Sequence, residues 1–165
     1  MKIKIFLDTI CGWCYIGHKK LFKALAEFKD RKFEVEYAPF LLNPDMPLAG
    51  IKRSDYLVMK FGGKENAQPM YDRMTEQAKS ENLNFRLNDI QITPSTILSH
   101  ILIDLSKGMK EQNSIVEHIC AARFAKHWHG VSGSFVVSVH DRTRKCNLSI
   151  NYTRHEASSS SKNGR

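Results

Sequence analysis

Phe6-Leu7-Asp8-Thr9-Ile10-Cys11-Gly12-Trp13-Cys14-Tyr15-Ile16-Gly17 is the stretch on which the fold of this chain turns. Before it, Lys2 to Asp8 alternates, with Ile3, Ile5 and Leu7 on one face, and predicts a strand. After it, Leu21, Phe22, Leu25 and Phe28 recur at helical spacing and predict a helix to about Lys29. The two cysteines therefore fall where a strand closes and a helix opens. Asp30-Arg31-Lys32 breaks the helix, and Phe33, Val35, Tyr37 and Pro39 alternate as a second strand ending near Phe40. A helix between two strands lets them lie parallel, so the fold class is α/β.

Farther out, Leu41 to Gly50 holds Asn43-Pro44-Asp45 and Pro47, a loop. Ser54 is placed to cap a short helix through Phe61, stopped by Gly62-Gly63. A longer helix is predicted over about Asn66 to Ser80, with Met70, Met74 and Ala78 as its core side. Thr93-Pro94-Ser95 starts another, in which Ile97, Leu98, Ile101, Leu102 and Leu105 form the expected buried face, ending at Gly108. Ile115, Ile119 and Ala122 support one more helix, to about Phe124. Three segments follow: residues 1–40 as a βαβ half-domain, 41–125 as a helical insertion, and 126–165 as an atypical basic segment, partly disordered. Within the last, Phe135 to Val139 reads as a strand, and the serine-rich end as disordered.

A chain of 165 residues can bury a core without disulfide staples, so its four cysteines ask for a chemical explanation. The charged N-terminus runs straight into Cys11, leaving no room for a secretory leader, and no apolar run is long enough to span a bilayer. A cytoplasmic location and no membrane partner are expected; in a reducing compartment, paired cysteines are more often catalytic or metal-binding than permanent crosslinks. The net charge of +8 is concentrated in the last 40 residues, which hold seven basic and two acidic side chains. That is a basic tail, not a folded basic face interleaved with aromatics, and no nucleic-acid partner is expected.

The chemistry lies in Cys11-Gly12-Trp13-Cys14. Unpaired N–H groups and about half a positive charge at a helix N-terminus stabilise a thiolate on the first cysteine. Such thiols reach pKa values of roughly 3.5–7.5 instead of about 8.5. Cys11 is thus the expected attacking thiol and Cys14, one turn on, the resolving thiol; Trp13 is expected to shield the pair and contact substrate. Half a zinc site is the competing reading of C-x-x-C, but Cys120, His127 and His129 follow no common zinc spacing, and no metal is expected. His18, four residues after Cys14, is a candidate proton shuttle or a surface or cap histidine. Cys120 reads as a buried small hydrophobe and Cys146 as a free thiol.

These residues resemble the active-site start of DsbA-like thioredoxin-fold proteins of the FrnE and 2-hydroxychromene-2-carboxylate isomerase group, which commonly show D-x-x-C-P-W-C-Y-I-G; Gly12 stands where proline is usual. Three further segments resemble the family in order: Pro39 to Pro47, Tyr56 with Lys60-Phe61-Gly62, and Ser95-Thr96-Ile97-Leu98-Ser99-His100. The resemblance covers about residues 1–125. It implies a thioredoxin-like fold interrupted by an all-helical insertion, and a thiol–disulfide oxidoreductase acting on thiol- or disulfide-containing proteins or small molecules. It also implies no bound cofactor, glutathione as a candidate co-substrate and a candidate homodimer. The alternatives are a glutathione-dependent isomerase or kappa-class glutathione transferase, in which serine typically replaces the nucleophile, and a redox-inactive family member. Gly130 to Phe135 resembles the family's G-V-S-G-V-P-F segment without its proline, so the C-terminal hairpin and helix are expected to be degenerate or missing, as from a truncated or frame-altered gene. Impaired activity is expected, and the chain could still fold if residues 135–139 and 148–152 substitute for that hairpin.

Overall fold

The computed structural model describes residues 1–124 and two strands at 136–141 and 146–151. Two compact units divide the chain, residues 1–129 and 130–165. In the first, β1 (Lys2–Leu7) leads through a turn into α1 (Gly12–Glu27), and β2 (Glu34–Pro39) returns parallel to β1, with Lys2 opposite Glu34 and Leu7 opposite Pro39. The alternation in β1 has its expected effect: Leu7 is buried and Ile3 and Ile5 half-buried, while Lys2, Lys4 and Phe6 are exposed.

The helical part follows as α2 (Arg53–Phe61), α3 (Lys64–Ser80), α4 (Ile97–Leu105) and α5 (Gln112–Phe124). A two-stranded antiparallel pair, β3 (Ile51–Lys52) with β4 (Ile92–Thr93), ties the start of α2 to the approach to α4. Such two-residue strands carry no period for a sequence to reveal. Gly62 ends α2 in the left-handed conformation, φ 75°, with its N–H on the Val58 carbonyl. Ser54 is not the cap: it lies inside α2, whose N-cap is Lys52, and its hydroxyl bonds the neighbouring Asp55 carboxylate.

The core gathers one face of each element. Tyr15 and Ile16 of α1, Tyr71, Met74 and Ala78 of α3, and Val116, Cys120 and Phe124 of α5 are buried together with Leu7 and Phe85. Phe85 and Phe124 stack at 4.9 Å between centroids, with Tyr15 beside both. Met70 packs at the rim of this core.

On α4 the expected buried face is overturned. Leu98 is 68% and Leu105 70% exposed, and Ile101 is exposed with them. The inward face carries His100 and Ile103, with Thr96 and Ser106 flanking the helix. The reason is polar: Thr9 and Ser99 share a hydrogen bond of 2.6 Å, and the His100 ring faces the buried Asp8 carboxylate. Exposing a leucine forfeits about 1.5–3 kcal/mol, whereas a buried carboxylate stripped of partners costs several kcal/mol more.

In the second unit, β5 (Val136–Asp141) and β6 (Cys146–Asn151) form an antiparallel hairpin, with Val137 opposite Ile150 and Val139 opposite Leu148. Among the described residues no helix is long and apolar enough to cross a membrane.

Candidate active site

The turn between β1 and α1 is built by Asp8. Its carbonyl accepts the Cys11 N–H at 3.0 Å, and its carboxylate accepts the N–H of Ile10 at 3.1 Å and of Leu42 at 2.7 Å. The side chain is 1% exposed, and His100 Nε2 lies 3.6 Å from Oδ1. Burial works to raise this carboxyl, but His100, the two N–H groups and Thr96 outweigh it and hold it below the usual 3.8. A charge beside the cysteine turn is thus compensated locally, and the turn is fastened to the loop after β2.

Cys11 is the N-cap of α1, with extended backbone, and its Sγ accepts the Cys14 N–H at 3.3 Å. A helix N-terminus normally asks an oxygen for this service; here a sulfur provides it. Cys11 and Cys14 are half-buried free thiols, and Trp13 between them is exposed. Cys14 also packs against the core.

The two sulfurs titrate as one unit. Their mutual hydrogen bond is the largest influence on both, bringing Cys14 down to about 6 and pushing Cys11 up. Burial raises both thiols, and the Asp8 charge opposes a thiolate on Cys14. The N–H groups of Cys14 and Trp13 favour a thiolate on Cys11. The hydrogen bond between the thiols favours the charge on Cys14, and the N–H groups of the helix end favour it on Cys11.

Gly12 is the first residue of α1. A Cβ there would lie 2.4 Å from Met74 Sδ and 3.1 Å from the Phe85 ring. The thioether of α3 occupies the room that a side chain at position 12 would need.

The remaining candidates separate from this centre. His18 is buried, neither surface nor cap: Tyr37 donates its hydroxyl to Asn113 Oδ1 at 2.7 Å, so His18 Nε2–H donates to Tyr37, also at 2.7 Å. Burial lowers its pKa, and Nδ1 has no hydrogen-bond partner. Cys120 is buried, as expected, and burial pushes its thiol up to about 12. His127, His129 and the Cys146 side chain lie outside the described residues. Among those described, no three His, Cys, Asp or Glu side chains gather to hold a metal. Asp8 and His100 are the pair that sequence reasoning missed as a unit; Asp8 opens one quoted motif and His100 ends another, and only the fold brings positions 8 and 100 together.

The family described as DSBA-like thioredoxin domain matches residues 2–138. The structure is similar to the crystal structure of a probable DsbA oxidoreductase from Streptomyces coelicolor, with 30% identity and a TM-score of 0.69, over 79% of this chain. The chain spans 56% of that protein's length. No curated protein matches it. With a strand–turn–helix bearing the cysteine pair, a parallel β1–β2 and helices inserted after them, the chain belongs to the DSBA-like thioredoxin domain family.

Proposed function

We propose that the chain carries out thiol–disulfide exchange, with Cys11 attacking and Cys14 resolving. The Cys11 thiolate attacks one sulfur of a substrate disulfide, forming a mixed disulfide and releasing the other sulfur as a thiolate. Cys14, as thiolate, then attacks Cys11 Sγ; the Cys11–Cys14 disulfide forms, and the second substrate sulfur leaves. The substrate gains two electrons and the pair loses two; the reverse sequence donates a disulfide to a dithiol.

The observation that carries this reading is the Cys14 N–H on Cys11 Sγ at the N-cap of α1. It gives the outer sulfur a donor that a resting thiol does not need and a thiolate does. The lowered Cys14 thiol suits the resolving step, and the packing of Cys14 against the core suits a sulfur that acts only on its neighbour. Exposed Trp13 offers an apolar platform for a substrate chain.

The test is iodoacetamide alkylation of the reduced protein against pH, with the adduct located by mass spectrometry. One modification, at Cys11, with an inflection below the ordinary thiol value is expected, and Cys14→Ser incubated with glutathione disulfide is expected to accumulate a stable mixed disulfide at Cys11. Equal alkylation of both cysteines with an inflection at the ordinary 9.0 would overturn the assignment.

A further inference from the structure

Two arginines far apart in sequence meet on the short strand β4. Arg53, the first residue of α2, donates through Nη1 to Thr93 Oγ1 at 3.1 Å and through Nη2 to the Tyr71 hydroxyl. Arg123, at the end of α5, donates through Nη1 to the Ile92 carbonyl at 2.9 Å. Among the described residues neither guanidinium is in ion-pair contact with a carboxylate; the hydrogen-bond acceptors of both are neutral. Both Nε atoms are buried without a hydrogen-bond partner. Arg53 lies over the rings of Tyr56 and Tyr71, 5.0 and 5.4 Å from their centroids, which softens its charge but does not neutralise it. Burial and the neighbouring Arg53 charge lower Arg123 to about 10, which leaves it protonated at neutral pH.

Two adjacent, half-buried positive charges whose partners among the described residues are phenols, a hydroxyl and a carbonyl are unusual in a helical subdomain. Beside Arg53 opens a cleft of about 550 Å³. Among the described residues lining it are Lys52, Arg53 and Lys64 and no carboxylate, while Leu57, Val58, Ile90 and Ile92 supply apolar walls. The size suits a small organic molecule.

We propose that this cleft binds a small organic carboxylate, its anion on Arg53 and its hydrocarbon body against Leu57, Val58 and Ile92. Arg53 lines the cleft, and each of its terminal nitrogens carries a second N–H beyond those given to Thr93 and Tyr71, a pair that suits a planar monoanion. The apolar walls distinguish such a ligand from a free inorganic anion. Arg123, held on the Ile92 carbonyl, adds its charge near Arg53 without lining the cleft. This site uses neither cysteine and stands whether or not the thiol exchange does.

The experiment is calorimetric titration of the full chain with octanoate, with octylamine and inorganic phosphate as probes of charge and of the anion alone. Octanoate is expected to bind one to one, with neither control approaching it. Arg53→Gln is expected to weaken octanoate roughly tenfold or more, the loss of a charged hydrogen-bonding partner. Because Arg53 also ties α2 to Thr93 and Tyr71, a second variant is needed: Val58→Glu changes an exposed residue at the cleft, and its carboxylate should repel octanoate with comparable loss. Absence of octanoate binding, undiminished binding to Val58→Glu, or equal binding of octylamine or phosphate would overturn the proposal.

Discussion

Asp8 shows how one side chain can shape a reactive turn without reacting. Its two carboxylate oxygens take separate N–H donors, and its carbonyl takes a third from Cys11. Asn at this position keeps one acceptor and sets an amide N–H against the other donor. Asp8→Asn should therefore lower stability by about 1–3 kcal/mol, the cost of an orphaned buried donor, as read from the urea midpoint at neutral pH. Because the folded pKa lies below 3.8, the contribution of the charge is complete above that value and is lost as pH falls through the folded pKa. The gap between wild type and Asp8→Asn should accordingly narrow on acidification below about pH 4; a gap constant down to pH 2 would assign the loss to packing. His18 has the opposite chemistry and the same slope. Its folded pKa is depressed by burial, so the unfolded chain takes up the proton first, and stability falls as pH drops below 6.5.

Between elements, the closest fit is α1 against α3 at Gly12. Proline is favoured at the first position of a helix, and the family that the sequence resembles commonly has it there. Here the Met74 sulfur stands 2.4 Å from where the Cβ would be. Gly12→Pro alone should cost about 1–3 kcal/mol by overpacking, and Met74→Val in the same chain should recover most of that. A double-mutant cycle of denaturation midpoints with no coupling between the two positions would refute the fit. The same scale explains what the sequence disclosed. The β1–α1–β2 unit was legible because Ile3, Ile5 and Leu7 alternate and Leu21, Phe22 and Leu25 recur at helical spacing. The cysteine pair was legible because four adjacent residues hold it. The orientation of α4 was not, because periodicity weighs Leu98, Ile101 and Leu105 and is blind to an aspartate 92 residues away from His100. Leu98→Gln and Leu105→Gln should each change stability by less than about 0.5 kcal/mol, whereas Ile103→Ala should cost about 2–5 kcal/mol; reversed values would restore the face that periodicity favours.

At the scale of the whole molecule, the cysteine pair couples folding to pH in both directions. Reduced and folded, the pair loses its first proton near 6 and holds the second beyond 9.0; unfolded, both thiols titrate at their ordinary values. Between pH 6 and 9 the unfolded chain therefore binds more protons, and stability should rise with pH; above 9 it binds fewer, and stability should fall. A reduced protein most stable near pH 9, measured against a Cys11→Ser/Cys14→Ser chain, is the expected outcome, and parallel curves for the two would remove the coupling. A quieter consequence follows from the Leu42 N–H held by Asp8. Residue 42 sits in a loop between exposed Leu41 and half-buried Asn43, whose amides should trade hydrogen for deuterium quickly, while its own is clamped by a buried anion. Its isotope lag behind residues 41 and 43 should vanish when Asp8 takes up a proton, making one backbone amide a readable gauge of a hidden charge.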